Sequence, residues 1–273
     1  MHQCAAVQRE QGKRIGVVPT MGFLHEGHLT LIRAARSRAD TVITTVFVNP
    51  AQFGPGEDYQ QYPRDLGRDI TLAGDAGADV VFAPEPLTMY PADFRSFVNV
   101  ESITDVLEGK SRPGHFRGVA TVVVKLFNLT RPHIAVFGQK DAQQVAVVKQ
   151  FTRDLNMDVE IVVIPIVREQ DGLALSSRNV YLSEEQRREA PVLYSSLQMA
   201  ADMLRKGERS ADRLRDEMRR IIGATSGAID YVSVANGGTL QELGLIPSPC
   251  NVLLSLAVRF GRTRLIDNVT MDL

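Results

Sequence analysis

Only two cysteines, Cys4 and Cys250, occur in the 273 residues. That is too few to staple a chain of this size with a disulfide framework, so a reducing compartment is expected. An excess of positive charge is also missing: 31 Lys and Arg stand against 32 Asp and Glu, for a net charge of -1. The balance excludes the basic footprint of a protein that neutralises many phosphates along a nucleic acid. No apolar run approaches the roughly 20 residues that span a bilayer, and the opening MHQCAAVQREQGKR has no apolar stretch of the signal-peptide kind. The expectation is a cytosolic protein acting on small molecules. What is present, 44% hydrophobic and 23% charged residues, suits a globular chain of two domains, each with a core of its own.

Short β-branched runs alternate with helical patterns through the first part. Strands are predicted at 14–18, 41–48, 79–83, 134–138 and 159–165, and crossover helices at 27–38, 64–76, 119–129 and 141–155. Runs such as TVITTVFV are apolar on both faces, as strands covered by helices on each side must be. The fold class predicted is α/β, a doubly wound, Rossmann-like parallel sheet. After Pro165 the pattern changes to helices at 183–205 and 210–222, then strands at 229–234, 252–259 and 263–266, with a capping box over Ser183–Gln186. The predicted division is a nucleotide- and substrate-binding domain over 1–166 and a smaller α+β lid domain over 167–273.

The most informative stretch is PTMGFLHEGH, which leaves a strand, turns through Gly22 and enters a helix near Gly27. A helix N-terminus presents unpaired N–H groups and partial positive charge to an anion, and open α/β sheets bind ligands beyond the carboxyl ends of their strands. His25 and His28 would flank such an anion, and Gly27 would let a triphosphate approach the backbone. The alternatives are two surface histidines on an ordinary helix start, or a zinc site with Glu26, for which no further ligand stands at a metal-binding spacing. Gly109-Lys110-Ser111 imitates the tail of a P-loop, but Thr104 stands where that motif needs a glycine. No metal ligand set is assigned to the protein.

Three further clusters are polar and glycine-rich. NPAQFGPGED follows the second strand, where Asn49 and Gln52 could bind a small hydroxy acid; a solvated Pro- and Gly-rich turn fits the same residues. FGQKDAQQ repeats the strand-turn-helix theme, with Asp141 placed to cap and Lys140 to meet a phosphate or carboxylate. GLALSSRN sets two hydroxyls before Arg178, a combination suited to a polyphosphate, although an ordinary loop would read alike.

In order and spacing, PTMGFLHEGH, FVNPAQFGPGEDYQQYPRD, RPGHFRGVATVV, FGQKDAQQ, VREQDGLALSSRNVYLS and TRLIDN resemble the pantothenate synthetases, or pantoate–β-alanine ligases. These are similar more widely to nucleotidyl transferases that share a paired-histidine turn with class I aminoacyl-tRNA synthetases. The resemblance implies that pantoate and ATP give pantoyl adenylate and pyrophosphate, and that β-alanine then displaces AMP. It implies an ATP site of Met21, Gly22, Phe23, Leu24, His25, Glu26, Gly27, His28, Gly138, Gln139, Lys140, Asp141, Val167, Leu175, Ser176, Ser177 and Arg178. His28 would be the principal catalytic histidine, assisted by His25, Lys140 and Arg178. Gln52 and Gln144 would contact pantoate, Gln52 also β-alanine, with Mg²⁺ on the phosphates and a homodimer as the assembly. Three positions depart from the family pattern: Leu175 for a methionine, His133 for an aspartate, and Asn236-Gly237 for an aspartate-containing turn. An adenylyltransferase, or a nucleotide-binding module without chemistry, is the alternative.

Overall fold

The computed structural model describes residues 1–273, which divide into two compact units: Met1–Gly138 with Val147–Pro165, and Gln139–Ala146 with Ile166–Leu273. The first unit is built on five parallel strands, β1 (Ile15–Thr20), β2 (Thr41–Val46), β3 (Val80–Phe82), β4 (Ile134–Gly138) and β5 (Glu160–Ile164). Their order is β3-β2-β1-β4-β5. β1 is therefore central, paired in register with β2 from Ile15↔Thr41 to Thr20↔Val46 and with β4 at Gly16↔Ile134. Both pleat faces are apolar and buried: Val17 and Val18, and Val42 and Ile43, are all 0% exposed. Successive strand side chains leave opposite faces, so a sheet with this pattern has to be covered on both sides.

Helices α1 (His2–Glu10), α2 (Glu26–Arg36), α3 (Leu66–Asp75), α4 (Pro86–Met89), α5 (Leu107–Ser111) and α6 (His115–Thr130) belong to this unit. Leu29, Ile32 and Ala35 of α2 and Ala73 of α3 pack with Val18, Val42, Ile134 and Val136 in one core cluster. The reading of the parallel sheet agrees with the structure to within about two residues at strand ends. It missed α1, a mostly polar helix with only Ala5 buried, because too little apolar periodicity is present to announce it.

α7 (Ala142–Asp154) begins in the second unit and ends in the first. The second unit adds α8 (Glu184–Glu189), α9 (Val192–Arg205), α10 (Ala211–Ile222) and an antiparallel sheet of β6 (Ala228–Asn236), β7 (Asn251–Phe260) and β8 (Thr263–Asp272), in that order. The helix expected over 183–205 is two helices. The capping box of Ser183 and Gln186 is present, but α8 ends at Glu189 with Ala190 as its C-cap, and α9 restarts at Val192 with Pro191 as its N-cap. Proline has no N–H to continue the ladder, so the chain breaks there. β8 runs six residues beyond the predicted 266 because its far half, after buried Asp267 and Asn268, alternates half-buried apolar with exposed polar residues rather than remaining apolar. Leu193, Leu197, Leu204, Leu214 and Met218 pack with Val234, Leu254 and Leu256 as the core of this unit.

Leu197 is 0% exposed, so Leu197→Ala removes contacts on every side and leaves a cavity. It is expected to lower the free energy of unfolding by about 2–5 kcal/mol, read from the midpoint of urea denaturation at unchanged slope.

Candidate active site

At the end of β1, Thr20 donates its hydroxyl to Thr45 O at 2.6 Å and accepts the Gly22 N–H at 3.2 Å. Gly22 has φ +87°, and a Cβ there would stand 2.8 Å from both Asp69 Oδ2 and Val46 Cγ1. Only glycine fits that conformation and that space. Asp69, 1% exposed on α3, accepts the Phe23 N–H at 2.8 Å and the Leu24 N–H at 2.7 Å. One buried carboxylate thereby satisfies two backbone donors that would otherwise be stranded, each at a cost of about 1–3 kcal/mol.

With Leu24 buried at 0% exposure, the next residue is delivered to the start of α2. His25 is the N-cap: its Nδ1 accepts the Gly27 N–H at 3.2 Å, and His28 Nδ1 accepts the His25 N–H at 3.3 Å. The two rings form a reciprocal capping box with centroids 4.1 Å apart, in which imidazoles take the places usually held by Ser and Glu. With Nδ1 accepting, each neutral ring carries its hydrogen on Nε2, a donor suited to a phosphate oxygen at a positive helix end. Glu26 is exposed and pairs with Arg33 on its own helix, which explains that residue without chemistry.

The turn after β2 lies at the same carboxyl edge. Asn49, 1% exposed, caps the short 3₁₀ turn Pro50–Gln52 by accepting the Ala51 N–H. It accepts Tyr90 OH at 2.8 Å and donates to Gln52 Oε1 at 2.9 Å and Gly118 O at 3.2 Å. Burial pushes the Tyr90 hydroxyl up to about 12, so it stays a donor. Gln52 Nε2 points to Met21 Sδ at 3.4 Å, which brings the glutamine and histidine turns together.

From α6, His115 Nδ1 meets Gln52 O at 2.9 Å, and Arg112 Nη1 meets His115 Nε2 at 3.1 Å. Arg112 also grips Glu57 with two hydrogen bonds of 2.8 and 2.7 Å. The chain of donors fixes the tautomer: Nδ1–H donates to the carbonyl, and Nε2 accepts from the guanidinium. Burial, helped by the charge of Arg112, pushes the His115 imidazole down to about 4. For Glu57, burial pulls upward but the Arg112 hydrogen bonds and charge outweigh it, and the carboxyl lies below its ordinary range.

Gly138 closes β4 in the first unit, and the second unit carries the other predicted residues. Gln139–Asp141 form a 3₁₀ turn that leads into α7, with Lys140 half-buried and Asp141 exposed; Gln143 is buried and Gln144 half-buried. Leu175 N–H donates to Val167 O at 3.0 Å. Ser176 then caps a second 3₁₀ turn, Ser177–Tyr181, by accepting the Arg178 N–H. Asn179 Nδ2 donates to Ala174 O and Glu169 Oε1. The SSR segment is thus a loop whose backbone is held by its own side chains.

Asp69, Glu57, Arg112 and His115 were missed as site-building residues. Asp69 had a signal: it falls on the same helical face as buried Ala73, where a charge is out of pattern. The histidine and arginine of RPGHF had none without the partner turn. Gly109 of the false P-loop is buried inside α5, where a Cβ would collide with Thr104 O. The departures are absorbed locally. His133 Nδ1 accepts the Ile15 N–H at 2.9 Å, and Asn236 Oδ1 accepts the Gly238 and Thr239 N–H groups at 2.9 and 3.0 Å. No three His, Cys, Asp or Glu side chains converge where a metal ion could be held.

The sequence profile of the family described as pantoate-beta-alanine ligase matches residues 1–270. The chain belongs to that family. A pantothenate synthetase of Acetivibrio thermocellus is 56% identical, covering 97% of this chain and 94% of the relative. One from Roseiflexus castenholzii is 58% identical, over 94% and 92%. The crystal structure of the Thermus thermophilus pantothenate synthetase matches with a TM-score of 0.90 at 46% identity, covering 97% of this chain and 96% of the other. The pantoate-beta-alanine ligase of Francisella tularensis, complexed with beta-gamma ATP and beta-alanine, matches at 0.78 and 36% identity, over 98% and 94%.

His115 yields a pH prediction for this family member. Between its unfolded pKa near 6.5 and its folded value of about 4, the unfolded chain binds the extra proton. Stability therefore falls as pH drops through that window. His115→Gln should flatten this part of the stability profile, measured by urea denaturation from pH 7 to pH 4.

Proposed function

We propose that the chain condenses (R)-pantoate with β-alanine at the expense of ATP, through pantoyl adenylate, to give pantothenate, AMP and pyrophosphate. Membership of the ligase family supports the substrate pair. The observation that carries the chemistry is the reciprocal His25/His28 cap at the N-terminus of α2.

In the first step a pantoate carboxylate oxygen attacks the α-phosphorus and pyrophosphate leaves, so negative charge grows on phosphate oxygens. Fixed donors already aimed at that charge lower the barrier without reorganising. His28 Nε2–H is assigned to the α-phosphate, with His25 beside it and the α2 N-terminus adding partial positive charge. Lys140, Ser176, Ser177 and Arg178 are assigned to the remaining phosphates, with Gly138, Gln139, Asp141, Val167 and Leu175 completing the nucleotide contacts. Gln52 and Gln144 are assigned to pantoate, and Gln52 also to β-alanine, since amides donate and accept and suit an acid that also carries hydroxyls. In the second step the neutral amine attacks the acyl carbon and AMP leaves. The protein offers no metal-ligand set, so Mg²⁺ is proposed to accompany ATP on phosphate oxygens, and no step is routed through it.

The homodimer implied by the resemblance is proposed as the assembly, detectable in sedimentation as twice the 30.1 kDa chain. A cytosolic setting is proposed as well; no helix is long and apolar enough to cross a membrane.

With ATP, Mg²⁺ and pantoate, pyrophosphate release should depend on pantoate, and AMP turnover should require β-alanine. Pyrophosphate release without AMP turnover when both acids are present would point to an adenylyltransferase instead. His28→Ala should reduce the pantoate-dependent step on the order of a hundredfold or more with an unchanged fold by circular dichroism. Near-normal turnover would remove His28 from the mechanism.

A further inference from the structure

Late in the sequence stands a motif, TRLIDN, to which no role attaches in the reaction. Its last two residues lie on β8, the edge strand of the antiparallel sheet. Adjacent strand residues point to opposite faces, yet Asp267 is 2% and Asn268 3% exposed. Two polar side chains buried on opposite faces of an edge strand are costly unless fully partnered. Each is partnered, and each is committed to a different segment assigned to the nucleotide.

Asn268 Nδ2 donates to Gln139 O and to Lys140 O, both at 3.0 Å, while its Oδ1 accepts Gln139 Nε2 at 3.1 Å. One amide thus holds the 3₁₀ turn by two consecutive carbonyls and one side chain. Asp267 accepts both arms of the Arg168 guanidinium, at 2.6 and 2.9 Å, and its own neighbour's N–H at 2.7 Å. Arg168 in turn donates to Gly172 O at 3.0 Å and lies over the Tyr194 ring at 3.8 Å. It is bridged to Ala174, and the following rung pairs Leu175 N–H with Val167 O. A Cβ on Gly172 would stand 2.6 Å from Tyr194 Cδ1, so this hairpin closes only around glycine. The hairpin delivers Ser176, Ser177 and Arg178.

We infer that Asp267 and Asn268 are positioning residues: through Arg168 and through the 139–140 carbonyls, β8 sets the Lys140 turn and the Ser176–Arg178 loop in one fixed relation. The inference rests on the assignment of those two segments to ATP. Two nucleotide segments 35 or more residues apart in sequence are referred to consecutive residues of one strand, so neither moves without the other. Lys140 has a flexible stem, and fixing its backbone restricts the volume its ammonium explores.

The test uses Asn268→Ala and the isosteric Asn268→Asp in the full chain, with Lys140→Ala alone and combined with each. Asn268→Asp keeps the shape and the acceptor but sets a carboxylate oxygen against two carbonyls, so it separates the donor role from packing. Pantoate-dependent pyrophosphate release gives KM for ATP and for pantoate separately. Expected are a KM for ATP raised about tenfold in both single variants, a KM for pantoate within about twofold of the parent, and little further loss when Lys140→Ala is added, since coupled residues are non-additive. If Lys140→Ala raises the KM for ATP and both Asn268 variants leave it unchanged, or if the effects simply add, the inference is overturned and Asn268 is a structural residue. Loss of native circular dichroism in both Asn268 variants overturns it equally. If Lys140→Ala itself leaves the KM for ATP unchanged, it is the assignment of Lys140 to the nucleotide that fails, and the inference with it.

Discussion

A buried parallel strand that ends inside a protein must hand its backbone hydrogen bonds to some other partner, and β1 meets this demand at Gly22–Leu24. The partner is one carboxylate, Asp69, reached only because Gly22 leaves room for it. Everything downstream depends on that exchange. Phe23 takes a positive φ of 51°, Leu24 is driven into the core, and His25 arrives as the cap of α2. The histidines are then held by the same kind of bond, ring nitrogen to backbone N–H, so their orientation is a by-product of closing the helix end.

The glutamine turn repeats the device with different groups. Its carbonyl at Gln52 is taken by His115, whose second nitrogen is taken by Arg112, whose remaining donors are taken by Glu57. Asn49 closes the other side. Burial, helped by the charge of the arginine beside it, holds the half-buried imidazole neutral, and the turn is anchored without placing a net charge on the glutamine.

In the second unit the anchoring is ionic. Asp267 and Arg168 form a pair whose side chains are 1% and 15% exposed. A buried pair of this kind adds little net stability against an apolar substitute, since desolvation offsets the attraction. Its consequence is geometric: a bidentate guanidinium accepts only one arrangement, and the backbone of the 167–175 hairpin is fixed to it.

The sequence alone determined the strand-helix alternation, the parallel sheet, the change of pattern after Pro165 and the histidine turn as the start of a helix. These follow from periodicity and from glycine and proline chemistry, which act over a few residues. The 183–205 helix was misread although Pro191 was in plain view, because apolar spacing continued through it. Only the tertiary structure decided that Asp69 holds the turn of residues 22–24, that His115 and Arg112 hold Gln52, and that Asp267 and Asn268 hold two segments at once. Those pairings join residues 45 to 129 positions apart. No local propensity records which buried donor will meet which buried acceptor; that is settled when burial removes water and leaves each polar group to find its partner in the protein.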